Sequence, residues 1–143
     1  MRDDFDLTPA LEVERELQRL SVELTRPHPR ECLFCYVYRM LEFGCAGLRW
    51  ALHYRDTVAP RATALPDRLL SRGAGCDCEI FMNGYRPRAQ YLVVVDEESG
   101  ERDYPETMPP CTGVRAGSTQ PCGVWQIRRG LWDIWARIAK PDR

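Results

Sequence analysis

The chain has 143 residues, of which 20 are Lys or Arg and 21 are Asp or Glu, and its formal net charge is −1. This balance gives no general attraction to nucleic acid or to anionic lipid. No stretch approaches the roughly 18 apolar residues of a membrane span, and the polar start of the chain lacks the apolar core of a signal peptide. We therefore expect a cytoplasmic protein without a membrane segment, in which residues 1–143 form a single domain.

The first predicted element is an amphipathic helix over residues 8–24, where apolar and charged side chains alternate at helical spacing. Thr8-Pro9 fits a helix start, because proline is favoured in the first helical turn. The helix accounts for most of an N-terminal part that we place at residues 1–31.

Three further helices are predicted in the next part of the chain. The first covers residues 32–43 and ends at Gly44, and the second covers residues 46–57. A short third helix over residues 64–72 ends at a glycine pair, as helices commonly do. With the strand that follows, these helices make up a cysteine-rich unit over residues 32–85.

Two strands are predicted after these helices, at residues 78–82 and 91–95. Asn83-Gly84 lies between them and favours a tight turn, so the two strands are expected to form a β-hairpin. Residues 124–127 predict a further strand that adds to this hairpin.

The last part of the chain, residues 86–143, contains the second hairpin strand, a loop over residues 96–121 rich in Pro, Gly, Ser and Thr, and a closing helix over residues 131–138. Trp132 and Trp135 lie in that helix, and these two residues and Trp125 are expected to pack on the core. The elements together predict an α+β fold: three or four helices packed on a short antiparallel sheet, with a cysteine-ligated zinc.

Five of the seven cysteines are concentrated in residues 32–78: Cys32, Cys35, Cys45, Cys76 and Cys78. An odd number of cysteines fits poorly with a closed set of disulfides, and four thiolates around zinc make a closed structural site. Two alternatives stay open. The cysteines can be small buried hydrophobes, or Cys32 and Cys35 can be redox thiols, although such a pair typically accompanies a βαβ pattern.

Several short motifs in this unit resemble the DUF2695 family, a bacterial group of unknown function. The resemblance covers residues 32–85 and rests on Gly44-Cys45, Leu48-Arg49, Gly73-Ala74-Gly75 and the run from Cys76 to Asn83. It implies a small helical unit followed by a strand, and it implies no activity. The family usually carries Cys-Asp-His where this chain has Cys45-Ala46-Gly47.

The resemblance makes three thiols the core of the ligand set and gives the upstream pair the role of the fourth ligand: Cys45, Cys76 and Cys78, with Cys32 or Cys35. A rival set uses both upstream thiols: Cys32, Cys35, Cys76 and Cys78. Cys111 and Cys122 lie outside the resemblance, and with both Cys32 and Cys35 they can form a second four-cysteine site.

Two classes of function follow from these residues. The first is a binding module with a structural Zn²⁺, whose partner is a protein, or a nucleic acid bound by arginines interleaved with Trp50, Tyr54 and Tyr85. The second is an enzyme: a metal-dependent hydrolase with Glu79 as general base, or a thiol redox protein that uses Cys32 and Cys35.

The binding module is preferred over the enzyme for two reasons. No nucleophile–base–acid set is visible, and the chain has only two histidines, His28 and His53. Asp77 and Glu79, which flank Cys78, also have an alternative role in which they orient metal ligands by hydrogen bonds.

Overall fold

The computed structural model describes residues 6–129. In these residues the chain forms five helices, two two-stranded antiparallel sheets and short 3₁₀ or π-helical turns, so the predicted α+β class is confirmed. The helices are α1 (Thr8–Leu24), α2 (Leu33–Met40), α3 (Arg49–Val58), α4 (Leu65–Ser71) and α5 (Asp77–Glu79). The strands are β1 (Tyr85–Pro87), β2 (Val93–Asp96), β3 (Glu101–Asp103) and β4 (Trp125–Ile127).

The first four helices lie where the periodicity predicts them. A 3₁₀ turn, Leu41–Phe43, follows α2 and ends at Gly44, whose φ is +102°. Gly73 comes after α4 with φ +85°. Because side chains with a Cβ rarely adopt such angles, glycine is the residue that lets the chain leave these helices in a new direction.

The core forms between α2 and α3 and is completed by α4 and by the chain around β4. The side chains of Tyr36, Tyr54 and Trp125 are each no more than 1% exposed. Leu65 from α4 and Ile80 from the π-helical turn Ile80–Gly84 close the same cluster. Burial of one large apolar side chain contributes about 1.5–3 kcal/mol, so this cluster is the main source of stability.

Helix α1 does not take part in this core. None of its residues is buried, and its Leu and Val side chains are 41–61% exposed. The sequence therefore predicts the helix correctly. An amphipathic pattern usually implies that the apolar side faces a core, but in the described residues this side faces solvent.

The predicted strand at residues 78–82 is wrong. These residues belong to α5 and to the π-helical turn Ile80–Gly84. The Asp77 carboxylate accepts hydrogen bonds from the backbone N–H groups of Trp50 and Ala51 at 2.9 and 3.1 Å, and it anchors the chain against α3 at this point. The local preference of Ile80 and Phe81 for strands gives way to this tertiary contact.

The predicted β-hairpin is wrong as well, because the strands pair differently. β1 pairs with β4, with Tyr85 opposite Ile127 and Pro87 opposite Trp125. β2 pairs with β3, which lies in the segment predicted as loop. The strand predicted at residues 124–127 is confirmed as β4, but its partner is β1.

The predicted closing helix at residues 131–138, with Trp132 and Trp135, lies outside the described residues. Of the predicted core tryptophans near the end of the chain, Trp125 is buried. No helix among residues 6–129 combines the length and the apolar character that crossing a membrane requires.

Candidate metal centre

The start of α2 carries two thiols that face the same point. Cys32 is the residue immediately before the helix, in extended conformation, and its Sγ accepts a hydrogen bond from the backbone N–H of Cys35 at 3.2 Å. Ser, Thr, Asp and Asn commonly cap helices in this way with a side-chain oxygen. Here a sulfur takes that role, and the bond holds the Cys32 side chain close to Cys35.

Two more thiols come from the irregular segment 104–124. The Sγ of Cys111 accepts hydrogen bonds from the backbone N–H groups of Cys32 and Gly113, both at 3.3 Å. The Sγ of Cys122 accepts one from the N–H of Val124 at 3.5 Å. The bond from the N–H of Cys32 to the Sγ of Cys111 joins residues that are 79 positions apart in the chain. It therefore connects this segment directly to the start of α2.

The four sulfur atoms of Cys32, Cys35, Cys111 and Cys122 all lie within 4.8 Å of one another. The Sγ atoms of Cys35 and Cys122 are 3.7 Å apart, which is far too long for a disulfide. Tetrahedral zinc with Zn–S bonds of about 2.3 Å spaces its sulfurs by about 3.8 Å. The group therefore has the composition and the spacing to hold a metal ion.

Each of these sulfurs also accepts a hydrogen bond from nitrogen. Cys35 receives its bond from the indole Nε1–H of Trp125 at 3.2 Å, and Trp125 is only 1% exposed. Hydrogen bonds to a charged form favour that form, and such outer partners fix the orientation of metal ligands. The surroundings of the four sulfurs therefore suit thiolates.

The electrostatics of the group fit one shared cation. Hydrogen bonds from the side chains of Cys32 and Cys35 lower the pKa of Cys122. The hydrogen bond with Cys122 raises the pKa of Cys35, and it raises the pKa of Cys32 to about 12. Without a cation, four thiolates at this distance would repel one another, because each negative charge disfavours ionisation of its neighbours. A bound divalent cation removes this conflict.

An open cleft of about 570 Å³ adjoins the four-cysteine group. Cys35 and Cys111 form part of its wall, together with the apolar side chains of Tyr38, Met108 and Trp125. Glu31, Arg39, Glu42 and Glu106 also line it, so the cleft combines an aromatic wall with a mostly acidic edge.

The structure divides the predicted five-thiol set into two places. Cys32 and Cys35 lie with Cys111 and Cys122, as in the predicted second site. Cys45, Cys76 and Cys78 lie near one another elsewhere: the N–H of Cys78 donates to the Sγ of Cys45 at 3.4 Å, and Cys76 lies two residues before Cys78. Ligation by these three thiols stays a prediction.

The two acidic candidates differ in their surroundings. Asp77 is fully buried, and this burial raises the pKa of its carboxyl group. The two hydrogen bonds from the α3 backbone lower the pKa, but their effect is smaller than that of burial. It is a structural anchor, a role that its position between two cysteines did not reveal. Glu79 is half-buried and accepts a hydrogen bond from the side chain of Asn83 at 3.2 Å.

The histidines and the aromatic residues of the arginine-rich stretch are not among the four residues of the cysteine group. His53 is exposed and lies beside Tyr36, with ring centres 6.3 Å apart, and His28 faces Glu31. Trp50 and Tyr54, two of the three aromatic residues expected to stack on a nucleic acid, are buried in the core. Binding of nucleic acid by the arginines stays a prediction.

The site and fold define an α+β protein with a four-cysteine centre able to hold a metal. A family model described as "Protein of unknown function (DUF2695)" matches residues 33–83, so the resemblance seen in the motifs is confirmed for this segment, which is less than half of the chain. The chain matches no curated protein and no solved structure. Cys32, Cys111 and Cys122 lie outside the matched residues.

Proposed function

We propose that this chain is a cytoplasmic, zinc-stabilised interaction module in which Zn²⁺ has a structural role. The observation that carries the proposal is the convergence of Cys32, Cys35, Cys111 and Cys122, whose sulfurs lie within 4.8 Å of one another. All four are free cysteines, which fits a reducing compartment where disulfides rarely persist.

Zinc is the metal that the donor set favours. Four thiolates in a tetrahedral arrangement select zinc or iron, whereas magnesium and calcium require oxygen ligands. Each sulfur also accepts an N–H hydrogen bond, which lowers the cost of collecting negative charge around the ion. A single zinc ion needs no inorganic sulfide and fits the 3.7 Å sulfur spacing between Cys35 and Cys122.

The structural role follows from the number and the origin of the ligands. Four protein thiolates fill a tetrahedral ion and leave no position for a substrate or an activated water. Two of them lie at the start of α2 and two lie in the irregular segment 104–124. The ion thus fastens a segment with little secondary structure to the core, and metal ties that close long loops restrict the unfolded chain most.

The interaction surface of this proposal is the apolar seam of α1. Ala10, Val13, Leu17, Leu20 and Leu24 recur at alternating spacings of three and four residues, the pattern of a coiled-coil seam. The side chains beside this seam include Glu14, Glu16 and Glu23. We therefore specify the partner as a protein helix with an apolar seam and basic flanks, because charges beside such seams select the partner.

The test of the zinc centre is metal analysis of protein purified without added metal, followed by thiol titration. Retained zinc, with thiols at Cys32, Cys35, Cys111 and Cys122 that react only after chelation, supports the proposal. Cys111→Ser is the informative variant, because Cys111 lies on the irregular segment and outside the helices. Metal-free protein in which Cys32 and Cys35 form a reversible disulfide would overturn the structural-zinc proposal in favour of a redox role.

A further inference from the structure

Three cysteines outside the four-cysteine centre form a second group, which we call the surface thiol group: Cys45, Cys76 and Cys78. Cys45 follows the 3₁₀ turn after α2, and the other two lie at the start of α5. The backbone N–H of Cys78 donates to the Sγ of Cys45 at 3.4 Å, and Cys76 lies two residues before Cys78. Cys45 is exposed, and the other two are half-buried.

Asp77 fixes the backbone between two of these thiols. Its carboxylate accepts the N–H groups of Trp50 and Ala51, and its own N–H donates to the carbonyl oxygen of Gly47 at 2.8 Å. Two of these hydrogen bonds join the start of α5 to α3, and the third joins it to Gly47, two residues after Cys45. The proximity of the surface thiol group therefore results from a buried anchor, not from a chance meeting of surface side chains.

The Cys78 thiol is within reach of the other two. A cysteine side chain has one rotatable bond before its sulfur, so its staggered positions all lie within about 4 Å of its own amide nitrogen. That amide already contacts the Cys45 sulfur. Rotation of the Cys78 side chain can therefore bring its sulfur towards that of Cys45.

A carboxylate is held beside the same thiols. The Glu79 side chain lies close to Gly75, the residue before Cys76, and its Oε2 accepts a hydrogen bond from the Asn83 amide at 3.2 Å. The same amide donates to the carbonyl oxygen of Gly73 at 2.8 Å. Hydrogen bonds of this kind orient ligating carboxylates in metal sites.

We infer that the surface thiol group and Glu79 form a second metal site, which takes a thiophilic divalent cation and above all Zn²⁺. Three thiolates supply the affinity, and the carboxylate is the fourth, weaker ligand. Because the site is exposed on one side, its ion exchanges with solution, in contrast to the buried ion of the four-cysteine centre. This site is separate from the structural zinc proposed above, and it gives the chain a labile metal beside a permanent one.

The experiment uses the full chain saturated with Zn²⁺ and then passed through a desalting column. Bound zinc is counted, and its release to a chromogenic chelator is followed in time. The variants are Cys45→Ser and Glu79→Gln for the surface site and Cys111→Ser for the four-cysteine centre. Circular dichroism of each variant confirms that it is folded, and substitution of Co²⁺ for zinc reports the number of thiolates through its charge-transfer absorption.

The expected result is two zinc equivalents, one released fast and one slowly. Cys45→Ser should remove the fast equivalent alone, Cys111→Ser the slow one alone, and Glu79→Gln should weaken the fast site by about tenfold or more. If the protein binds only one zinc equivalent, and Cys45→Ser leaves that equivalent unchanged, the second site is overturned. The proposal of the structural zinc would not be affected by this result. If the protein instead retains only the fast equivalent, and Cys111→Ser leaves the bound zinc unchanged, the structural zinc is overturned.

Discussion

The carboxylate of Asp77 accepts the backbone N–H of Trp50 at 2.9 Å, although the two residues are 27 positions apart in the chain. Its second oxygen accepts the N–H of Ala51 at 3.1 Å. The carboxylate thus caps the first turn of α3 from another element, because the residue before α3, Leu48, has no side-chain acceptor of its own. A single acidic side chain therefore positions both α3 and the cysteines on either side of Asp77.

The first prediction concerns this cap. Asp77→Ala should lower the free energy of unfolding by about 2–4 kcal/mol, since it removes a cap and leaves two buried N–H groups without partners. The control is Asp56→Ala, because Asp56 is exposed and pairs only with its neighbour Arg55. That change should alter stability by less than about 0.5 kcal/mol. Denaturant unfolding measures both, and equal effects would contradict the role of Asp77.

The second prediction concerns removal of metal from the four-cysteine centre. A strong chelator should expose segment 104–124 to protease while α2 and α3 stay protected, because half of the ligands lie on that segment. Tryptophan fluorescence should change at the same time, since Trp125 donates to Cys35. In Cys122→Ser the segment should be cleaved with or without chelator. Cleavage that starts within α2 would contradict this order of events.

The third prediction distinguishes the effect of backbone strain from that of steric crowding at Gly73 and Gly100. A Cβ on Gly73, whose φ is +85°, would lie 3.1 Å from the Cβ of Asn83. Gly100 has a similar φ of +70°, but a Cβ there meets no atom within 4 Å. Gly100→Ala should cost about 1–2 kcal/mol from backbone strain alone, and Gly73→Ala should cost more. Equal losses in thermal unfolding would show that Asn83 moves aside freely.

The fourth prediction concerns the apolar seam of α1. Leu17→Asp with Leu20→Asp should leave the free energy of unfolding nearly unchanged, because both side chains are exposed. The same double change should abolish binding of a synthetic helix with a leucine seam and lysine flanks. A matched helix with glutamate flanks should bind weakly to the unchanged protein, owing to repulsion by Glu14 and Glu23.

Three outcomes would contradict this partner chemistry. Calorimetry could show equal binding of the lysine and glutamate peptides, or binding that survives the double change. Sedimentation could instead show that the unchanged protein forms dimers through α1, in which case a second copy is the occupant.

The fifth prediction concerns alkaline pH. Burial, followed by the nearby Tyr104 and Asp103, raises the pKa of Tyr38 above its ordinary value of 10.0. A group with a raised pKa in the folded state contributes stability at lower pH and loses it as the pH rises above the unfolded value. Unfolding free energy should therefore fall above pH 10, and less steeply in Tyr38→Phe. Parallel pH profiles for the two proteins would contradict the shift.

The helices could be predicted from the sequence because their signals are local. Apolar spacing located α1 through α4, and Gly44 and Gly73 marked ends where the backbone takes a positive φ. The strand order could not be predicted in the same way, because β1 and β4 come from residues about 40 positions apart. Nothing near Tyr85 or Trp125 encodes that pairing, which depends on how the core forms.

The candidate site was predictable in chemistry but not in grouping. The density of cysteines indicated a metal, and pairing of Cys32 and Cys35 with Cys111 and Cys122 was one of the open alternatives. The resemblance to the family favoured Cys45, Cys76 and Cys78 as the core of the ligand set instead. The buried Asp77 determines which cysteines lie together, because its hydrogen bonds hold Cys76 and Cys78 near Cys45. The burial of one carboxylate cannot be recognised in a sequence.

The four-cysteine centre also has a consequence for the synthesis of the protein. Its first two cysteines emerge from the ribosome with α2, whereas Cys122 follows 87 residues after Cys35. The helical segment that matches the family model is therefore synthesised before the four-cysteine centre is complete. With the proposed structural zinc, retention of metal would distinguish chains that contain both halves of the centre from chains cut short before Cys122, so metal content would report on the integrity of the chain.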